Sequence, residues 1–213
     1  MASRDDQIVA RVRSRLGFAQ GRRDTEPDLA LGQDLARRQD AASVGALVSL
    51  LSDRAAASGA IKAIYECGYL APDLLAPHAA VLLGLLASRN NRMVWGGAIA
   101  LSCVAAAAPD AVWPRRAELM ALFPEGSVIT RDHVVRAMAH LARSSPARER
   151  ALAPWLLLAL EEVRPVNLPR WAEDVVPVLS GRNRAKAMAL VEGRLAELSK
   201  GAQQRVRRLL RAK

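Results

Sequence analysis

With 213 residues, 51% of them hydrophobic and 24% charged, the chain can bury a core and is not of the disordered type. Aromatic residues make up only 4% while Ala, Leu and Arg abound, and no Val/Ile/Thr-rich alternating segment of strand length stands out, so the chain reads as all-α. The formal charge of +10 suits an anionic partner, and two cysteines are too few for a secreted disulfide framework.

The opening residues turn charged at once and contain no apolar signal region, so a cytoplasmic protein is expected. Ile8, Val9, Val12 and Leu16 suit one short amphipathic helix, which Gly17 and Gly21 interrupt. After a loop at 21–27, a second short helix over 27–38 offers a thin apolar stripe of Leu29, Leu31 and Leu35. Residues 1–41 are therefore expected to form a polar N-terminal cap or extension and 42–213 the main domain, since a stack of repeats must hide its first apolar face.

From there helices are predicted in pairs: 44–51 with 57–69, 73–87 with 93–107, 112–123 with 131–142, 147–163 with 169–179, and 184–198 with 202–212. Thr130 is expected as an N-cap with Asp132 in the first turn, where negative charge suits the helix dipole, and Asn167 as a cap before Pro169. Cys67 and Cys103 fall on apolar helical segments and are expected as buried, reduced thiols. The longest stretch without an acidic or basic residue, 93–109, is 17 positions long. That falls short of the ~20 apolar residues of a membrane span, and a central buried helix is expected instead.

Proline sets the period of this pattern. Pro72, Pro109 and Pro146 stand 37 residues apart (109−72 and 146−109), and Ala71-Pro72-Asp73-Leu74-Leu75-Ala76-Pro77 returns as Ala108-Pro109-Asp110-Ala111-Val112-Trp113-Pro114. A fixed period in this range is the mark of stacked supersecondary units. The apolar first helix ending Leu82-Leu83-Gly84-Leu85-Leu86, the polar turn Ser88-Arg89-Asn90-Asn91-Arg92 and the small-residue second helix Val94-Trp95-Gly96-Gly97-Ala98 resemble HEAT or armadillo-type repeats. The resemblance covers roughly residues 42–213 and implies a right-handed α-solenoid of about five antiparallel helix pairs. It implies a non-enzymatic scaffold that recognises a protein partner through its concave surface.

No nucleophile elbow, Walker-type loop, dinucleotide-binding glycine motif or zinc-protease motif is present, so no catalytic residue, metal or cofactor is expected. Arg92, Arg131 and Arg170 stand 39 apart, each at or just before the first turn of the second helix of its pair. Stacking is expected to align them along one rim, with Asn91 and Thr130 beside them and Trp95, His133 and Trp171 within reach. Guanidinium groups, planar rings and helix N-termini suit phosphate or carboxylate ligands. The structural alternative stands beside it: such arginines often bond to the preceding repeat in proteins of this kind, and the tryptophans fill core. His133, next to Asp132, is read either as part of that rim or as an ordinary histidine.

Residues 181–213 carry ten of the Lys and Arg against Glu192 and Glu197. The last helix reads either as a nucleic-acid or membrane-surface element or as a solvated cap. An alternative function is accordingly nucleic-acid binding, including the role of the HEAT-like DNA glycosylases that the fold resemblance brings in. Those use an aspartate beside aromatic residues, and here the acid nearest a tryptophan in that sense is Asp174.

Overall fold

The computed structural model describes residues 3–211; Ala212, the last residue of the final predicted helix, lies outside them, as do Lys213, Met1 and Ala2. Among the described residues every regular element is helical. The chain divides into two compact units, Met1–Thr130 and Arg131–Lys213.

The first unit opens with α1 (Arg4–Ser14), whose N-cap Ser3 exchanges hydrogen bonds with Asp6 in a capping box. After a 3-10 turn at Gly17–Gln20 comes α2 (Glu26–Arg38), with Pro27 in its first turn, where a missing N–H costs nothing. The apolar face of this segment is not left exposed. Val12, Leu16, Leu31 and Leu35 are buried, and α2 lies against α4 (Ala57–Leu70) so closely that a Cβ on Gly32 would stand 2.3 Å from the Ala63 carbonyl oxygen. Asp28 is buried as well, in a space left by glycines, and accepts a hydrogen bond from the Gly17 N–H at 2.9 Å. Arg13 of α1 binds Asp53, and Arg15, just past its end, binds Asp34 of α2, so this segment is held at two points along the chain. Residues 3–38 thus pack within the same unit as α3 (Ala41–Ser49) and α4.

The expected pairs 73–87 and 112–123 begin with broken helices rather than continuous ones. Pro77 and Pro114 sit in 3-10 turns, Ala76–His78 and Trp113–Arg115, because a proline ring lacks the donor and crowds the carbonyl four residues back. What remains helical is α5 (Ala79–Gly84), α7 (Pro109–Val112) and α8 (Arg116–Ala121). Between them α6 (Asn91–Ala107) is the expected central helix: Asn90 caps it, accepting from the Arg92 N–H at 3.0 Å, and every residue from Gly96 to Ala105 is buried. Its glycines permit this. A Cβ on Gly96 would lie 2.4 Å from Ile61 Cγ1 of α4, and one on Gly97 3.1 Å from Leu85 Cβ.

Helix α9 (Val128–Arg143) begins at the end of the first unit. Ser127, not Thr130, supplies its capping oxygen, accepting from the Thr130 N–H at 3.2 Å; Thr130 lies inside the first turn and is buried. The second unit continues with α10 (Pro146–Glu162), α11 (Leu168–Val175), α12 (Gly181–Gly193) and α13 (Lys200–Arg211). Ser145 caps α10, whereas Asn167 stands in the cap position of α11 without making a side-chain cap bond. The core of this unit is aliphatic, with Val135, Met138, Leu141, Leu156, Leu160, Val175 and Val191 all buried.

Candidate functional site

The expected site residues divide between the two units. In the first, α4 and α6 lie side by side and bring together side chains from both. Tyr65 and Tyr69, one turn apart on α4, meet edge to face with ring centroids 6.1 Å apart, and Tyr65 faces Trp95 of α6 at 6.0 Å. Both tyrosines of the chain and one of its four tryptophans are therefore in one place. Two of the rings carry a cation: Lys62 Nζ stands 4.9 Å over Tyr65 and the Arg92 guanidinium 5.6 Å over Trp95.

The two cations differ in what else they hold. Lys62 donates to Glu66 at 2.5 Å; burial works against its charge, but the bonds to Glu66 and Tyr65 outweigh that and raise its pKa. Arg92 makes no ion pair among the described residues, and its buried Nε has no hydrogen-bond partner. Glu66, the one carboxylate of α4, is held by Lys62 and does not pair with Arg92. Tyr69 is 47% exposed, Asn91 is exposed, and Trp95 and Arg92 are half-buried. The cluster thus reaches the surface with an unneutralised guanidinium at its edge. Lys62, Tyr65, Glu66 and Tyr69 join the site only in the folded structure, although the i, i+4 spacings Lys62/Glu66 and Tyr65/Tyr69 are visible in the sequence.

In the second unit the same phase of the repeat is closed. Arg170 donates to Asp132 Oδ2 at 2.9 Å and the Trp171 indole N–H to Asp132 Oδ1 at 2.6 Å, so both are committed to the preceding pair. Trp171 and His133 are 4% and 3% exposed, which removes both from any rim. Asp132 is not an exposed dipole residue of the first turn but the buried acceptor of this network. A second pair runs the other way: Arg136 Nε donates to Asp174 Oδ1 at 3.3 Å, so α9 offers acid then base where α11 offers base then acid. Burial raises the Asp174 pKa despite Arg136 and Arg170, and it pushes His133 down to about 3 with help from the same two arginines. His133 is therefore neutral. Arg131, half-buried, is the fourth residue of α9 and the first of this unit.

No group of His, Cys, Asp and Glu among the described residues could hold a metal ion. Nor is any described helix long and apolar enough to cross a membrane.

No protein-family model and no curated protein matches the sequence. Solved structures do match. A computationally designed armadillo repeat protein for modular peptide recognition aligns over 96% of this chain and 97% of its own, with TM-score 0.67 at 16% identity. A designed armadillo repeat protein in complex with the peptide (KR)4 aligns over 98% of both chains with the same score and identity. An engineered protein aligns at TM-score 0.65 and 18% identity, over 98% of this chain and 96% of that one. The fold is an all-α helical-repeat solenoid. At such identities the likeness extends to the fold and to nothing finer.

Proposed function

We propose that the protein is a non-enzymatic helical-repeat scaffold that recognises an acidic segment of a protein partner through the cation and aromatic cluster of α4 and α6. One observation carries this reading: Arg92, stacked on Trp95 at the N-terminal turn of α6, has no acid to neutralise it among the described residues, beside the exposed ring of Tyr69. A carboxylate arriving there meets a guanidinium, the first-turn N–H groups and rings that can cover its aliphatic stem. Asn91 and Thr130 belong to the same unit; Arg131 is proposed as a binding residue of the second unit in its own right. Arg170, Trp171 and His133 are assigned to holding that unit together. The buried thiols Cys67 and Cys103 suit a reducing compartment, which supports a cytoplasmic location.

The designed protein in complex with (KR)4 holds a basic peptide. The sign expected here is opposite. Fluorescence anisotropy with labelled Glu-rich and Lys/Arg-rich peptides, each containing one Leu, tests it on the whole protein. The acidic peptide is expected to bind and the basic one not, with Arg92→Ala and Tyr69→Ala each weakening binding about tenfold, or about 1.4 kcal/mol. Equal binding of the two peptides, or acidic binding that both variants leave intact, overturns the reading.

A further inference from the structure

A separate surface on the second unit points to a different partner. Helix α13 divides cleanly by chemistry. Val206 is 1% exposed and Leu209 and Leu210 are half-buried, so most of its apolar side lies against the fold. Lys200, Gln204, Arg207, Arg208 and Arg211 recur at the spacing of one helical stripe on the opposite side, and all five are exposed. Gln204, Arg207, Arg208 and Arg211 line one shallow depression.

The charge on this stripe is not answered from within. Arg205, off to one side, grips Glu173 of α11 with two hydrogen bonds and so fixes how α13 is turned. Glu197 is held by Arg194. Lys200, Arg207, Arg208 and Arg211 form no ion pair among the described residues, and Arg182 and Lys186 of α12 add positive charge to the same unit.

We infer that the exposed stripe Lys200, Gln204, Arg207, Arg208 and Arg211 is a binding surface for the phosphate backbone of duplex nucleic acid. Two features select that partner among polyanions. A basic helix that inserts into lipid uses a free apolar face, and here most of that face lies against the protein's own core. A single-strand binder stacks bases on aromatic side chains, and α13 has none. What remains is a row of three guanidinium forks with an ammonium and an amide beside them. Over the helix that row runs for about 16 Å, at about 1.5 Å per residue, enough to follow several phosphates along one strand. Such bonds position a duplex without reading its sequence.

The test is an anisotropy titration of the full chain with a labelled mixed-sequence DNA duplex at several salt concentrations. Binding is expected at low salt and is expected to weaken steeply as salt rises. The triple variant Arg207→Gln/Arg208→Gln/Arg211→Gln is expected to lower the slope of log K against log salt by about 2 to 3 units, near 0.9 for each phosphate no longer neutralised. Its melting temperature should stay at that of the parent, because the three side chains are exposed. Arg92→Ala should leave duplex binding unchanged, which keeps this surface distinct from the peptide site. The inference is overturned by absence of duplex binding at low salt, by an unchanged slope in the triple variant, by tighter binding of the unpaired strand, or by binding to phosphatidylserine vesicles in place of the duplex. An absence of binding would leave α13 as a solvated cap.

Discussion

Arg92 in the first unit and Arg170 in the second occupy one phase of the repeat, near the N-terminus of a second helix, yet they have opposite fates. Arg170 finds Asp132 in the preceding pair and becomes part of the wall. Arg92 meets no such acid, since Glu66, the one carboxylate of α4, is held by Lys62, and it keeps its charge at the surface, resting on Trp95. The residue type does not decide whether such a position builds the solenoid or serves it. A free acid in the preceding pair does.

That contrast can be broken most forcefully with acid. His133 and His140 are held neutral, with pKa values pushed down to about 3 and about 4, first by burial and then by nearby arginines. A depressed folded-state value gives stability that is whole above the ordinary histidine pKa near 6.5 and is lost as pH falls through the folded values. Asp174 works the other way, since its raised pKa favours the folded state at low pH and that benefit fades as pH rises. The second unit should therefore lose stability between about pH 6.5 and 3, followed by near-UV circular dichroism, and His133→Gln should flatten that loss.

Next in size is Asp132→Ala. Removing the shared acceptor leaves the Trp171 indole N–H buried without its partner and Arg170 without its counter-charge, for an expected loss of about 2–3 kcal/mol in chemical denaturation. Arg170 is 40% exposed, which holds the figure below that for a fully buried pair. In the first unit the comparable weak point is steric: Gly32→Ala sets a methyl against the Ala63 carbonyl, forces α2 away from α4, and should cost about 1–3 kcal/mol by the same measurement. The smallest effect sharpens the comparison instead. Arg92→Ala should shift stability by less than about 0.5 kcal/mol, against about 1–2 kcal/mol for Arg170→Ala, since only the second strands a buried acceptor. Equal losses in the two variants would erase the distinction between wall and surface.

The helix pairs were legible because proline punctuates them: Pro72, Pro109 and Pro146 each open an element at its first position, where the missing N–H is harmless. The breaks at Pro77 and Pro114 were written in the same residues, but the apolar runs around them suggested continuous helices. The burial of α2 was harder to see. Leu31 and Leu35 make a narrow stripe, and what lets so narrow a stripe seal against α4 is the absent side chain of Gly32, whose use depends on a backbone that is distant in sequence. At the site, the Arg92/Trp95 pairing followed from i, i+3 spacing on one helix. Asp132 was misread because its neighbours in sequence explain it well enough, while its real partners lie 38 and 39 residues on.

The buried thiols carry a practical consequence. Cys67 sits on α4 with no exposure, its pKa pushed up to about 11 by burial, and Cys103 on α6 is 8% exposed, its Sγ lying 3.3 Å from where Gly68 would carry a Cβ. A thiol buried in this way reacts with an alkylating reagent chiefly when the helices around it separate. Labelling rates at Cys67 and Cys103 would therefore time how often α4 and α6 part, giving this half of the protein a built-in clock for local opening.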